Sequence, residues 1–381
     1  MNKRKRLLSH SFGITVISIL MGFIVGAIIL HRTGYNPFEA YGIMARGVFE
    51  KPKYLVQTII NSTPLILTGL SVVFAFRTGL FNIGAEGQFI IGALTAAWVG
   101  YFLKLPPVIH VVVVFFAAAI AAALWGGIAG FFKAKLGINE VITTIMLNWI
   151  AFYTQNYFVT LESFKKPDSE ASYAIQNTAS IVILEGWKKS QAGREWLKNH
   201  PIWRDVLKTD FNWGFLIAIL IAILIWYILN KTTLGYELRA VGFNRFAAEY
   251  GGISVKKSIV ASMMIAGALA GAAGALHVMG VSHKVSTLAT MEGYGFDGIA
   301  VSLIAGSSPI GCILAGLLFS GLKYGGSKIQ YTMNAPPEII SIIIGVIVLF
   351  IAMPRLIDAI PKAVAKIMPF VSRRRGEKHV G

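Results

Sequence analysis

Charged residues and cysteine are scarce in this sequence. Only 14% of the 381 residues are charged and 55% are hydrophobic, whereas soluble domains average about a quarter charged residues. A chain of this composition cannot cover itself with polar surface in water. Cys312 is the only cysteine, so an intramolecular disulfide is impossible and a metal cluster is not expected.

The sequence also lacks the motifs of the common enzyme classes. No G-x-x-x-x-G-K-[ST] string occurs, and Gly325-Gly326-Ser327-Lys328 lacks the spacing that cradles phosphates. HExxH and CxxC spacings are absent, His277 and His283 are isolated, and no nucleophile elbow is present. We therefore expect no ATP hydrolysis by this chain, no catalytic residue, no cofactor and no bound metal.

Long apolar stretches, in contrast, are abundant. Runs such as Phe12–Leu30 and Val108–Phe132 are long enough to cross roughly 30 Å of hydrocarbon. In lipid every backbone N–H and C=O must be paired within the segment, and these runs lack the alternation of strands. The sequence therefore predicts an all-α, polytopic transmembrane helix bundle. Glycine and alanine crowd residues 126–130 and 267–274, which predicts close helix packing there.

Apolar runs and the charged breaks between them predict about ten membrane spans. The short pair 295–306 and 309–323 forms either two half-helices or a re-entrant pair. The first span is predicted to be retained rather than cleaved as a signal peptide, because its apolar core is long. The predicted spans are 11–31, 55–76, 81–103, 107–132, 138–161, 214–230, 259–281, 295–306, 309–323 and 338–354.

Basic residues outnumber acidic residues by 35 to 18, which gives a formal net charge of +17. This excess does not indicate nucleic-acid binding, because Lys3–Arg6 precede the first span and Arg373–Arg375 follow the last. The positive-inside rule predicts cytoplasmic termini, a cytoplasmic loop 231–258 and an extracellular loop 162–213. The extracellular loop is itself rich in lysine and arginine, but long loops are translocated largely regardless of charge.

Within the extracellular loop, residues 191–208 place Trp196 and Trp203 among charged residues. This pattern is typical of an amphipathic segment that lies in the headgroup layer of a membrane. A docking surface for an external partner is the alternative interpretation.

Two similar tetrapeptides each open a predicted span. Gly84–Gly87 and Gly295–Gly298 both read glycine, any residue, an acid, glycine. In the predicted topology the two spans cross the membrane in opposite directions, as in an inverted five-plus-five repeat that relates residues 55–161 to residues 259–354. A match of four residues also arises by chance, so the repeat is a hypothesis.

Polar side chains within the apolar spans form a candidate set. A charge in the middle of a transmembrane helix costs about 2.5 kcal/mol or more, so such residues usually face a bundle interior or water. Asn148 and Asn156 are eight residues apart and share one face of a helix. The set either lines a solute pathway or supplies interhelical hydrogen bonds worth about 0.6 kcal/mol each. It comprises Asn82, Glu86, Gln88, Asn139, Glu140, Asn148, Asn156 and Asp297.

The connection 231–258 has helix-forming residues at Tyr236–Ala240 and Arg245–Tyr250. Gly251 and Gly252 are placed to end the second stretch. A short helix parallel to the membrane is therefore predicted. It is either a structured surface that another protein contacts or a solvated connector.

Three segments resemble one permease family. They are Gly79–Gln88, with its string Asn-Ile-Gly-Ala-Glu-Gly-Gln, then Asn139–Asn148 and Thr233–Ile253. They are similar to permease subunits of ABC importers for branched-chain amino acids, ribose and nucleosides, and closest to the bacterial nucleoside (simple-sugar-type) branch. The resemblance covers nearly the whole chain after the first span, and it implies a single permease domain over residues 1–381 with a ten-helix type II importer fold.

The resemblance also implies partners and residue roles. The partners are a second, homologous permease, a cytoplasmic ABC ATPase and an extracytoplasmic substrate-binding lipoprotein, assembled at a bacterial cytoplasmic membrane. The loop before the seventh span carries the coupling helix that contacts the ATPase. On this resemblance the coupling residues are Glu237, Arg239, Asn244 and Ala248, and the residues near the solute pathway are Asn82, Glu86, Gln88, Asn148 and Asp297.

Two other functional classes stay open at this point. A secondary, ion-coupled transporter of a small polar solute would also show inverted repeats and polar groups near the membrane midplane. A membrane scaffold would show no dependence on any solute. The loop 162–213 corresponds to no feature of the family.

Overall fold

The structure is a computed structural model that describes the backbone of residues 2–353 and the side chains of residues 17–353. Within that range the chain forms sixteen α-helices and only isolated β-bridges, so the predicted all-α fold is confirmed. The predicted cytoplasmic tail with Arg373–Arg375 lies outside the described residues. In chain order the helices are α1 (Asn2–Arg32), α2 (Pro37–Phe49), α3 (Pro52–Arg77), α4 (Ala85–Phe102), α5 (Pro107–Leu136), α6 (Glu140–Thr160), α7 (Glu185–Lys189), α8 (Gln191–Asn199), α9 (Pro201–Leu207), α10 (Gly214–Lys231), α11 (Thr233–Phe243), α12 (Arg245–Tyr250), α13 (Val255–His277), α14 (Tyr294–Ile304), α15 (Gly311–Met333) and α16 (Pro337–Ala352).

Four of the described helices are long and apolar enough to cross a membrane. These are α3, α5, α10 and α13, the last counted with the π-helical turn Val278–Ser282 that extends it. A fifth candidate is the α1–α2 pair, which bends by 120° between Arg32 and Pro37. Each of the ten predicted spans overlaps a helix of the structure, and the number ten itself stays a prediction.

The chain divides into two compact units. The terminal unit comprises residues 1–47 and 325–381, and the main unit comprises residues 48–324. In the terminal unit α1 packs against α16. The two backbones are very close at Gly22, where an added Cβ atom would lie only 2.9 Å from the Cα of Ile347. The Tyr41 hydroxyl of α2 donates a 2.8 Å hydrogen bond to the carbonyl of Phe23 in α1. Sequence patterns did not predict α2, which falls between two predicted spans.

The main unit is built around α13, which packs against α5, α4 and α3. The contact uses the small residues that the sequence singled out. A Cβ atom on Gly267 would lie 2.3 Å from the carbonyl oxygen of Ala122, and one on Gly271 would lie 2.2 Å from the Cβ of Ala122. Only glycine allows this backbone approach, so the predicted close packing is confirmed.

The predicted span 309–323 is too short. Helix α15 continues through Gly325 and Gly326 to Met333, because those glycines pack rather than terminate the helix. A Cβ atom on Gly325 would lie 2.7 Å from the carbonyl oxygen of Met44. Helix α14 has only 11 residues, so this member of the pair is short as predicted.

The loop 162–213 and the connection 231–258 lie at opposite ends of the main unit. Helix α10 runs from the loop to the connection, and α13 runs back toward the loop. The N–H of Ile181 in the loop accordingly donates to the carbonyl of Met279, in the π-helical turn that follows α13. The loop contains α7, α8 and α9, and the predicted segment 191–208 is therefore helical apart from His200 and Lys208. The connection forms two helices, α11 and α12, where one short helix was predicted, and α12 ends before Gly251 as expected.

Candidate functional site

The two glycine–acid tetrapeptides meet inside the main unit. A Cβ atom on Gly295 would lie 2.1 Å from the backbone nitrogen of Glu86, so the first turns of α4 and α14 touch through a position where only glycine fits. From this contact the two helices run in opposite directions. Helix α4 leads to Gly100, which accepts a hydrogen bond from Gln176 of the long loop, and α14 leads to the turn at Ser307, which binds Arg77.

Glu86 caps the first turn of α14. Its carboxylate is fully buried and accepts hydrogen bonds of 2.6 Å from the backbone N–H of Gly293 and 2.6 Å from that of Gly295. The first N–H groups of a helix have no partner within the helix and carry a partial positive charge. A carboxylate at this position forms strong, charge-assisted hydrogen bonds. Glu86 therefore fixes α14 to the start of α4.

Asn82 and Gln88 form a reciprocal amide pair beside Glu86. Asn82 Nδ2 donates to Gln88 Oε1 at 2.8 Å, and Gln88 Nε2 donates to Asn82 Oδ1 at 3.1 Å. Asn82 Nδ2 also donates to the hydroxyl of Ser71 in α3 at 3.0 Å. All three side chains are buried, so the non-helical turn between α3 and α4 is held by polar contacts on both sides.

Asn148 and Asn156 of α6 likewise bind backbone groups, at the first turn of α4 and in the non-helical segment before α14. Asn148 accepts from the N–H of Gly87 at 2.8 Å and donates to the carbonyl of Ile83 at 3.0 Å. Asn156 accepts from the N–H of Leu288 at 2.8 Å and donates to its carbonyl at 3.0 Å. Each amide replaces a pair of backbone hydrogen bonds that a helix would have supplied.

Asp297 differs from Glu86 despite the matching tetrapeptides. It lies in the first turn of α14, and its Oδ2 is 2.5 Å from the ammonium group of Lys323 in α15. Its side chain is partly exposed, whereas Glu86 has no exposed surface. The two acids therefore occupy similar helix positions with different partners.

The remaining polar candidates support helix ends. Asn139 accepts a hydrogen bond from Val141 N–H at the start of α6, and Glu140 pairs with Lys133 of α5 at 2.7 Å. Of the five predicted pathway residues, the structure brings Asn82, Glu86, Gln88 and Asn148 into one buried cluster and places Asp297 on the neighbouring helix. Their polar groups have partners within the chain, and their closeness to a solute pathway stays a prediction.

Sequence reasoning missed a polar, non-helical segment that leads to this cluster. Residues 283–293 join the end of α13 to α14, and they border a cleft lined also by Phe89, His277 and Ser282. The rings of Phe89, His277 and Tyr294 pack against one another with centroids 5.0–5.9 Å apart. In the sequence, this segment is visible as the polar break between the predicted spans 259–281 and 295–306, and the break contains Glu292.

The four predicted coupling residues have different surroundings. Glu237 of α11 is exposed, whereas Arg239 is partly buried and donates to the carbonyl of Gly235. Asn244 caps α12 by accepting from the N–H groups of Phe246 and Ala247. Ala248 is buried, so it cannot itself contact another protein.

Three aromatic side chains of this connection are strongly exposed. Phe243, Phe246 and Tyr250 are 90%, 86% and 99% exposed. Large apolar side chains grouped on a surface mark sites of interaction with proteins or membranes. Sequence reasoning passed over them, although three aromatic residues within eight positions of a charged connection are visible in the sequence.

Comparison with known proteins agrees with the resemblance seen in the sequence. Residues 54–352 match the family described as "Branched-chain amino acid transport system / permease component". The chain is 39% identical to the guanosine ABC transporter permease protein NupP of Bacillus subtilis, over 91% of this chain and 94% of that protein.

Two further relatives span most of both chains. The chain is 34% identical to the nucleoside ABC transporter permease protein NupB of Lactococcus lactis, over 99% of each protein. It is 31% identical to the glucose ABC transporter permease protein TsgB13 of Haloferax volcanii, over 90% of this chain and 87% of that protein. No solved structure matches the chain.

The family match and the apolar helices together confirm the predicted class of protein. The relatives are named as permease proteins of ABC transporters, in agreement with a chain that is a permease component rather than an enzyme. The apolar helices make it a multi-pass membrane protein. The chain belongs to the family of branched-chain amino acid transport system permease components.

Proposed function

We propose that this chain is the permease subunit of an ATP-driven importer and forms half of a pathway for nucleosides. The observation that carries the proposal is the similarity, over more than nine tenths of the chain, to two permeases named for guanosine and for nucleosides. The glucose permease is less similar, at 31% identity. A sugar is therefore the second candidate solute.

The proposed partners follow from what the chain exposes and lacks. An ATPase would dock on the connection 231–258, where Glu237 and the exposed rings of Phe243, Phe246 and Tyr250 project. Asn244 and Ala248 would shape this surface through the cap and packing of α12. The sequence has no phosphate-binding loop of its own, so the ATPase is a separate subunit.

In the proposed arrangement, the connection 231–258 and both termini lie in the bacterial cytoplasm, as the positive-inside rule predicts. The loop 162–213 is then external, at the end where a substrate-binding lipoprotein would deliver solute. A second, homologous permease would complete the pathway against the exposed residues of 283–293. The whole chain acts as one transmembrane permease domain in this arrangement.

Contacts in the main unit offer a route from the ATPase to the pathway. A Cβ atom on Gly242 of α11 would lie 2.3 Å from the carbonyl oxygen of Arg77, and Arg245 Nη2 donates to the carbonyl of Gly79 at 3.4 Å. The turn that follows Gly79 leads to Asn82 and Glu86. Rigid movement of α11 and α12 would displace this turn and with it α14, which is the kind of element shift that alternating access requires.

The direct test is reconstitution of the permease pair, the ATPase and the lipoprotein in liposomes. We expect uptake of radiolabelled guanosine to require ATP and to persist when proton and sodium gradients are collapsed. Uptake without ATP that follows an ion gradient would instead establish the secondary transporter. Absence of any solute uptake by the complete assembly would favour the scaffold.

The coupling assignment has its own test. The double substitution Glu237→Ala with Arg239→Ala should leave the amount of assembled protein normal and separate ATP hydrolysis from uptake. Normal uptake per ATP hydrolysed by this variant would overturn the assignment of these two residues.

A further inference from the structure

The segment 283–293 connects one end of the main unit with its interior. At its start, the N–H of Ile175 donates to His283, and the N–H of Ser172 donates to Val285, both at 2.8 Å. At its finish, Gly293 N–H donates to Glu86. In between, the chain has no regular helix and is held by Asn156 at Leu288.

The finish of this segment lies far from both ends of the bundle. From Glu86 to Gly100, which contacts the long loop, α4 rises by about 21 Å at 1.5 Å per residue. From Gly293, α14 covers roughly 16 Å in the other direction. The segment therefore runs from the loop end to about the middle of the unit.

The side chains along this stretch are polar and exposed. Ser286, Thr287, Thr290 and Glu292 all have exposed surface. Lipid-exposed, irregular backbone does not occur within the hydrocarbon region of a membrane, and is tolerated there only against protein or a water-filled cavity. This face of the chain is therefore turned away from lipid.

The cleft beside the segment holds polar groups without partners. It includes about 360 Å³ of space, part of it open to solvent, between α4, α6, the end of α13 and the segment. The Ser282 hydroxyl is shielded from solvent and has no hydrogen-bond partner among the described residues. The Glu292 carboxylate, which is exposed, has no ion pair or hydrogen bond within the described part of the chain.

These free groups contrast with their neighbours. Gln155, which also lines the cleft, donates to the carbonyl of Ser286 at 3.0 Å, and Asn156 is fully paired. Buried polar groups in native proteins are nearly always hydrogen-bonded, so the unpartnered Ser282 hydroxyl needs an explanation. An ionisable residue at membrane depth is costly and usually marks a solute path.

We propose that this cleft binds the hydroxyl groups of the sugar moiety of the transported solute. Glu292 accepts hydrogen bonds from two neighbouring hydroxyls, and Ser282 and His277 contact the rest of the sugar ring. The cleft contains one cation, Lys284, and one anion, Glu292, which suits an uncharged solute. The proposal rests on the proposed nucleoside transport and adds the residues that recognise the solute.

The test uses the near absence of cysteine. Cys312 is replaced by alanine in the complete transporter, and Ser286→Cys then supplies one thiol at the cleft for a membrane-impermeant, charged thiol reagent. Uridine and 2′-deoxyuridine, which differ by one sugar hydroxyl, serve as competing probes. We expect modification of the thiol, and protection by uridine at about a tenfold lower concentration than by 2′-deoxyuridine.

Two variants assign the recognition to named residues. Glu292→Gln should bring the protecting concentrations of the two probes within threefold of each other, because the carboxylate that accepts from both hydroxyls is lost. Ser282→Ala should raise both concentrations by severalfold. The matched controls Glu162→Gln, an exposed acid of the long loop, and Thr154→Ala, whose hydroxyl binds its own helix, should change neither value.

Three results would overturn the proposal. They are an unmodified thiol at position 286, equal protection by the two probes in the unsubstituted cleft, and a tenfold difference that survives Glu292→Gln. Copurification of the ATPase with each variant shows that the transporter is assembled. Failure of the proposed function is seen separately, as loss of ATP-driven nucleoside uptake by the unsubstituted transporter.

Discussion

The interior of the main unit and its two ends differ in which side chains are buried and which are exposed. In the interior, the Glu86 carboxylate is fully buried and held by two backbone N–H groups. At the ends, charged groups face solvent, and the exposed residues of α11 and α12 that stand out are aromatic. In lipid, therefore, a buried polar residue is the feature whose function is worth testing, whereas at a water-facing end it is an exposed apolar residue.

The largest effect that this comparison predicts is at Glu86. Glu86→Ala leaves the N–H groups of Gly293 and Gly295, at the start of α14, without an acceptor, and each charge-assisted bond contributes about 1.5–3 kcal/mol. We expect a loss of thermal stability of about 3 kcal/mol or more in the purified protein, and uptake below a tenth of normal. A variant as stable as the original would show that α14 does not depend on this cap. Glu86→Gln keeps one acceptor and should be affected less.

The next effect concerns the contact between the two tetrapeptides. Gly295→Ala would place a Cβ atom 2.1 Å from backbone atoms of Glu86, and overpacking of this kind typically costs 1–3 kcal/mol. Gly345→Ala is the matched control, because no atom lies within 4 Å of the added Cβ in α16. We expect a lower melting temperature for the first variant alone. Equal melting temperatures of the two variants would mean that α4 and α14 can move apart at Gly295 without a loss of stability.

The connection between α10 and α13 should respond in binding rather than in stability. Phe243→Ala with Phe246→Ala removes exposed rings, so thermal stability should change by less than about 0.5 kcal/mol. Aromatic anchors dominate protein interfaces, and affinity for the ATPase should fall by tenfold or more. Tyr157→Ala, an equally large exposed ring near the other end, is the control. Unchanged ATPase affinity would remove these rings from the interface.

The smallest effect lies in the long loop, at Glu185. Burial raises the pKa of this carboxyl, but hydrogen bonds and the charge of Lys189 outweigh burial and lower the pKa below its ordinary value. A lowered pKa stabilises the fold above the unfolded-state pKa, and this contribution is lost as the pH falls through the folded-state pKa. Because Lys189 is largely exposed, Glu185→Gln should cost about 0.5 kcal/mol at pH 7. Melting curves of the two proteins should converge near pH 3, and a difference that grows in acid would contradict the assignment.

The sequence predicted most of the fold because lipid simplifies the pattern. Apolar runs located a helix at every predicted span, and the family resemblance rested on strings that surround Glu86 and Asn148. Helix α2 was missed because the chain bends by 120° between α1 and α2. A hydropathy pattern does not show in which direction the chain continues after such a bend. The predicted span 309–323 ended at the charged Lys323, whereas α15 continues through Gly325 and Gly326 to Met333, and the neighbours of these glycines require small residues.

The hydrogen-bond and ion-pair partners of the site residues could not be predicted from residue types. The tetrapeptides look alike, yet Glu86 binds backbone and Asp297 binds Lys323. These partners come from helices separated by 26 to more than 200 positions, and no local pattern encodes that pairing. Glu292 was overlooked for a related reason, because its importance depends on how deep the segment 283–293 reaches.

The terminal unit has a consequence for biosynthesis. Gly22 of α1 packs on Ile347 of α16, so during synthesis α1 meets this partner only after the residues between the two helices have been made. At roughly 5–20 residues per second, α1 waits between about 16 and 65 seconds for that partner. A nascent chain released after residue 324 would contain every residue of the main unit and would keep the contact of α1 with α2, but it would lack α16, so a quality-control protease could recognise the uncovered face of α1.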